Sequence, residues 1–243
     1  MARKRLDILL VERGLMESRA RAQAAIEAGG VMVDGRAATK AGELVDETAE
    51  ISAEPAHPWV SRAALKLAHA LDTWPLEVEG RIVLDVGAST GGFTEVCLAR
   101  GAAKVFAVDV GRGQLHASLR GDPRVVDLEA TDARTLGPEL IPDAVDLIVC
   151  DASFIGIGKV LPAALELAAP RASLVVLVKP QFEVGPGRVG KGGVLRDPAA
   201  QREAVDAARA FVERRGWRVR GTEESPILGG EGNREFLLWA TRG

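Results

Sequence analysis

The 243-residue chain has no apolar run that approaches the roughly 20 residues of a membrane span, which removes a spanning helix from consideration. Cysteine is scarce. Cys97 and Cys150 lie far apart in apolar surroundings and make no C-x-x-C spacing. A disulfide framework and a cysteine metal site are therefore excluded, no metal is expected, and a reducing compartment is the natural reading. Basic residues are not in excess: 31 Lys and Arg stand against 34 Asp and Glu, a net charge of −3. The chain is thus no general coat for nucleic acid, and any such contact must come from local clusters. Tyrosine is absent altogether. The N-terminus carries Arg3-Lys4-Arg5 without the apolar core of a signal peptide, so a cytoplasmic protein is expected. What the chain does have is an ordinary hydrophobic share of 47% and length enough for one α/β domain plus a small appendage.

The most informative stretch is Ile82-Val83-Leu84-Asp85-Val86-Gly87-Ala88-Ser89-Thr90-Gly91-Gly92-Phe93-Thr94. Residues 82–86 read as a buried parallel strand. Gly87, Gly91 and Gly92 allow a sharp turn and close approach to a ligand, and a helix follows. That order places a ligand at the carboxyl end of a sheet. The spacing is not G-x-G-x-x-G, so the dinucleotide fingerprint is poorly met. A second apolar strand ends at Asp109, where a carboxylate can accept hydrogen bonds from ribose hydroxyls. A glycine loop with that acid suits a nucleoside lacking a pyrophosphate, such as S-adenosyl-L-methionine. The alternative is a turn needed only for helix–sheet packing.

The segment Asp85-Val86-Gly87-Ala88-Ser89-Thr90-Gly91-Gly92-Phe93-Thr94 resembles the cofactor loop of the TlyA family, ribosomal RNA 2′-O-methyltransferases related to the FtsJ-type enzymes and historically called hemolysins. The resemblance runs over nearly the whole chain. It implies S-adenosyl-L-methionine as cofactor, held by Gly87, Ser89, Thr90, Gly91, Gly92 and Phe93, with Asp109 on the ribose. Asp132 is a candidate for the adenine amino group or a loop-capping residue. Gly111-Arg112-Gly113-Gln114-Leu115 matches the family except at Arg112, where some relatives carry an aromatic residue; an arginine there can cover a ring.

Residues 1–54 read as two short helices, the second capped by Ser18, followed by a strand at 31–33, a tight Asp34-Gly35 turn and a further strand over 45–51. The pattern Arg5-Leu6-Asp7, Gly14, Ser18-Arg19, Ala22, Ile26, Gly30 to Gly35 and Lys40 resembles the S4 RNA-binding domain. Residues 3–21 hold six basic side chains against three acids, and Arg3, Lys4, Arg5, Arg19 and Arg21 are the candidates for phosphate contact. A solvated helix face is the plainer alternative. Residues 55–60 form a proline-punctuated linker, and Ser61 is expected to cap the helix that follows.

Residues 61–243 alternate strands (82–86, 104–109, 124–128, 145–150, 173–178, 217–223, 235–241) with helices (61–71, 92–100, 114–119, 157–169, 198–215). This is an α/β pattern. The resemblance implies a Rossmann-like class I methyltransferase sheet of seven strands, the last antiparallel, beside a small N-terminal α+β S4 domain. Asp151 and Lys179 follow apolar strands and so project into the same crevice as Asp109. Together with Lys66 and Glu235 they resemble the K-D-K-E tetrad of 2′-O-methyltransferases, in the contexts Ser61-Arg62-x-x-x-Lys66-Leu67, Asp151-Ala-Ser-Phe-Ile, Val178-Lys179-Pro180-Gln181-Phe182-Glu183 and Gly232-Asn233-Arg234-Glu235-Phe236. Lys179 is expected to take the proton of a ribose hydroxyl, Asp151 and Glu235 to orient the lysines, and Lys66 to hold the hydroxyl. Taken singly, each could equally be a structural ion pair.

Gly185 to Gly193 imitates a phosphate loop, but Gly192 replaces the required Ser or Thr and no helix starts there, so triphosphate binding is rejected. A basic lid carrying Arg188 and Lys191, with Arg62 nearby in function, is the expectation for further RNA contacts. The implied partners are ribosomal RNA or ribosomal subunits, with no membrane and no metal. The implied target is a cytidine of 23S rRNA, and in longer members one of 16S rRNA as well; the chain ends at Gly243 where those continue, which favours the first. Competing readings are a non-catalytic RNA-binding or ribosome-assembly factor, which an intact tetrad disfavours, and a hemolysin-like protein, for which no amphipathic basic helix speaks.

Overall fold

The computed structural model describes residues 3–190 and 192–243. The chain forms two compact units, residues 1–58 and 59–243.

The first unit contains β1 (Arg3–Arg5), α1 (Leu6–Glu12), α2 (Arg19–Glu27), β2 (Val31–Val33), β3 (Arg36–Ala37), β4 (Leu44–Asp46) and β5 (Ile51–Ala53). Ser18 Oγ accepts from Arg21 N at 3.3 Å and caps α2 as expected. β2 and β3 pair antiparallel across Asp34-Gly35, whose φ values of 48° and 74° are those of a tight hairpin turn. The single strand expected over 45–51 is two strands. Asp46 Oδ1 accepts from Thr48 N and Thr48 Oγ1 at 2.9 and 2.6 Å, and this turn sends β4 to pair with β1 and β5 with β2. Leu6, Leu10, Ala22, Ile26 and Val31 form the small core.

The second unit follows as α3 (Ala64–Thr73), β6 (Ile82–Val86), α4 (Gly92–Ala99), β7 (Lys104–Val108), α5 (Ala117–Arg120), β8 (Val125–Leu128), β9 (Val145–Cys150), α6 (Ile157–Val160), α7 (Pro162–Glu166), β10 (Ala168–Val178), α8 (Pro180–Glu183), α9 (Pro198–Arg214), β11 (Arg218–Glu224) and β12 (Phe236–Arg242). The sheet order is β11-β12-β10-β9-β6-β7-β8. β12 runs antiparallel to both neighbours and the rest of its pairings are parallel, as expected. Alternate strand residues serve opposite faces: Leu84, Ile148, Leu174 and Leu238 join one core cluster, while Val83, Leu147, Val175 and Leu237 join the other with α3 and α4.

Among the boundaries that differ from expectation, such as α5 starting at Ala117 and not at 114, two have a clear local cause. The helix read over 157–169 breaks at Leu161, because Pro162 has no N–H to continue it and instead starts α7; β10 then begins at Ala168. α3 begins at Ala64, not at Ser61. Ser61 Oγ accepts from Ala63 N at 3.1 Å and its carbonyl from Ala64 N at 3.1 Å, so Ser61 opens a turn leading into the helix.

Candidate active site

β6 delivers Val86 to the edge of a crevice, where Gly87 (φ +83°), Ser89 (φ +48°) and Gly91 (φ +95°) turn the chain into α4. Gly87 makes the turn expected of it and lines both cavities, and it meets a second demand as well. A Cβ there would lie 2.8 Å from Ala152 Cα and 2.9 Å from its N. The missing side chain lets the segment after β9 pack on the loop, where Asp151 N also donates to Val86 O at 3.1 Å. Gly92 plays a similar part, admitting Ala64 N and Ser61 to the start of α4.

A cavity of about 920 Å³ opens beside this turn, lined among others by Gly87, Ser89, Asp109, Asp132, Asp151 and Ser153. A smaller pocket of about 170 Å³ shares four of those residues and adds Thr90, Gly92, Phe93 and Lys179. Asp109, just past β7, accepts from Ser89 N at 2.8 Å on one oxygen and from Gly111 N at 2.7 Å on the other. Each oxygen keeps a lone pair for a hydroxyl donor. Phe93 touches the pocket wall, but the side chain is 2% exposed and belongs to the core. Gly91 lines neither cavity, since Leu115 and Leu119 close in behind it.

Asp132 lines the large cavity and also caps the short turn 133–135, accepting from Arg134 N at 2.9 Å. The Arg134 side chain beside it holds its carboxyl down at about 2. Both readings of Asp132 are thus compatible with its position. Arg112, weighed as cover for a ring, is exposed and outside both linings. Val110, 77% exposed, and Gln114, which accepts from Ser89 Oγ at 3.1 Å, line the large cavity instead; neither was singled out from sequence.

The four tetrad positions, from α3, the β9 and β10 ends and the start of β12, converge. Lys66 Nζ lies 2.6 Å from Glu235 Oε2 and 3.9 Å from Asp151 Oδ2. Lys179 Nζ lies 2.6 Å from Asp151 Oδ1 and donates to the Asp151 carbonyl at 3.0 Å and Ser153 Oγ at 2.7 Å. Asp151 therefore bridges the two lysine nitrogens, one on each carboxylate oxygen. Lys66, Lys179 and Glu235 are only 5, 6 and 3% exposed, so their charges are viable only because they compensate one another.

Beneath the loop, Asp85 is fully buried. One oxygen accepts from Thr94 Oγ1 at 2.7 Å and the other has no hydrogen-bond partner. Burial, with Asp151 and Asp109 adding repulsion, pushes this carboxyl up to about 7. The segment before Glu235 is fastened by buried Asn233, which donates to Gly193 O and accepts from Leu195 N, both at 2.9 Å. A generic Asn two residues from an acid carries no sequence signal of this clamp.

The candidate RNA contacts are mostly engaged within the chain. Lys4 pairs with Glu12, Arg21 with Glu17, and Arg188 with Glu203 and Asp197. Arg5 and Arg19 both grip buried Asp7, which also accepts from Gln23. Arg62 donates to Leu228 O at 3.2 Å, and Arg3 is exposed on β1. Lys191 lies outside the described residues.

A family model described as FtsJ-like methyltransferase matches residues 59–242, and one described as S4 domain matches residues 4–51. The chain is 50% identical over 242 residues to the 16S/23S rRNA (cytidine-2′-O)-methyltransferase TlyA of Mycobacterium tuberculosis, covering 98% of this chain and 90% of that one. It is 39% identical over 234 residues to Hemolysin A of Brachyspira hyodysenteriae, covering 96% and 98%. A solved structure from Streptococcus thermophilus, provisionally named a hemolysin, superposes with a TM-score of 0.78 at 38% identity over all of this chain and 89% of that one. With a relative 50% identical over 98% of this chain and a family model over residues 59–242, the chain belongs to the TlyA branch of the FtsJ-like methyltransferases, which joins an S4 domain to the methyltransferase domain.

Proposed function

We propose that this protein is a ribosomal RNA 2′-O-methyltransferase acting on a cytidine of 23S rRNA, with residues 1–54 as an RNA-docking S4 module, 55–60 as linker and 61–243 as the catalytic domain. The observation that carries the reading is the convergence of Lys66, Asp151, Lys179 and Glu235, of which Asp151 and Lys179 line the small pocket at the glycine turn. The name of the Mycobacterium tuberculosis relative supports the target class and adds 16S rRNA as a second candidate.

The residues present fit S-adenosyl-L-methionine. The large cavity offers Asp109 for ribose hydroxyls, exposed Val110 for an apolar ring face, and Asp132 for an exocyclic amine. When bound, that cofactor supplies an electrophilic methyl group on a sulfonium. The chain's own groups do the rest. Lys179, in its amine form, takes up the proton that the ribose 2′-hydroxyl releases. Asp151 fixes Lys179 and is itself balanced by Lys66. Glu235 holds Lys66, whose ammonium steadies negative charge growing on the ribose oxygen. Near-complete burial of both lysines keeps bulk water from replacing these contacts.

On the RNA side, Arg3, Lys4, Arg5, Arg19, Arg21, Arg62, Arg188 and Lys191 are the proposed phosphate contacts. The exposed ion pairs among them are worth little and can be exchanged for phosphate oxygens. No helix of the described residues is long and apolar enough to cross a membrane; a cytoplasmic site of action follows from the substrate class. The test is transfer of label from S-adenosyl-L-methionine to ribosomal subunits or naked rRNA. Lys179→Ala is expected to lower transfer by about 10²–10⁴-fold with RNA affinity unchanged. RNA binding by the parent protein without any transfer would favour an assembly factor.

A further inference from the structure

The tetrad leaves one question of access. Lys179 is 6% exposed, and three protein oxygens lie around its amine: it donates to the Asp151 carbonyl at 3.0 Å and Ser153 Oγ at 2.7 Å, and Asp151 Oδ1 stands 2.6 Å away as an ion-pair partner outside hydrogen-bond geometry. Those three oxygens crowd the amine, and only the Ser153 side reaches exposed surface. Of the three oxygens, only that of Ser153 belongs to a group able both to accept and to donate a proton.

Ser153 is also the one that faces the substrate space. It is exposed, and it lines both the large cavity and the small pocket that contains Lys179. Its place is fixed by the contact of Ala152 with Gly87 and by Asp151 N on Val86 O. The other two serines lining the small pocket are occupied differently: Ser89 Oγ donates to Gln114 and Ser61 Oγ accepts from Ala63 N.

We propose that Ser153 is a further catalytic residue, relaying the ribose proton to Lys179. This rests on the 2′-O-methyltransferase reading. The ribose O–H proton passes to Ser153 Oγ while the Ser153 proton passes to the Lys179 amine. As it does, the ribose oxygen forms its bond to the methyl carbon and the carbon–sulfur pair stays on sulfur. Serine ends as it began, and lysine holds the proton.

The test uses the full chain, labelled S-adenosyl-L-methionine and ribosomal subunits, under single turnover. Ser153→Ala is expected to transfer about 10–100-fold more slowly, with RNA affinity and thermal midpoint unchanged, and Ser153→Thr to regain most of the rate. The readout specific to a relay is the proton inventory in mixed light and heavy water. It should be bowed for the parent, with two protons in flight, and linear for Ser153→Ala. Ser153→Ala at the parent rate, or slowed with the bowed inventory retained, would overturn the relay while leaving the methyltransferase reading intact. A parent protein that transfers nothing to ribose would overturn both.

Discussion

At the scale of single residues, the catalytic candidates were legible as a set, through their resemblance to the K-D-K-E tetrad, and not one by one. Lys66, Asp151, Lys179 and Glu235 come together as the resemblance implied they should. Ser153 and Asn233 were not legible: both are common polar residues whose partners lie 26 and about 40 positions away. Asp85 was visible in the glycine stretch, but its burial was not. Its carboxyl sits at about 7 in the folded chain, whereas an unfolded aspartate ionises near pH 4. Between those values the unfolded chain binds fewer protons, so stability falls as pH rises through the window and the penalty is complete above it. Asp85→Asn removes the titration. Its thermal midpoint relative to the parent should climb between about pH 5 and about pH 8; a difference independent of pH would show that Asp85 does not titrate in that range.

At the scale of elements, strands were read more surely than helices. The parallel strands are apolar runs closed by a glycine, an acid or, after β10, Lys179. The break at Pro162 and the Asp46 turn depend on one residue each, inside segments whose hydrophobic pattern continues. The glycine turn shows the limit most clearly. Its sequence could not say whether Gly87 makes room for a ligand or for protein, and the structure puts Ala152 against it. Gly87→Ala should cost about 2 kcal/mol or more, from overpacking plus a positive φ, seen as a lower urea midpoint. Because it shifts the Asp151–Ser153 segment, it should also slow methyl transfer. An alanine variant of parental stability would mean that the two segments are not in firm contact.

At the scale of the whole molecule, the chain couples an acidic average to local basic clusters. RNA affinity should then rest on those local clusters and fall with salt accordingly. Arg3 is exposed, and Arg3→Ala should lower the slope of log affinity against log salt by about 0.7–0.9, the loss of one phosphate contact. A slope equal to the parent's would remove Arg3 from the interface. The chain forms two units, with the S4-like helices and hairpin in residues 1–58 and the alternating strands and helices in 59–243, each pattern readable in its own stretch of sequence. The central claim is that the four converging side chains act on a sugar hydroxyl. Alkaline hydrolysis of rRNA labelled by the full chain tests it most directly. Label recovered in an alkali-resistant dinucleotide, and lost with Lys179→Ala, is the predicted result; label recovered in a single nucleotide, marking a methylated base, would contradict it.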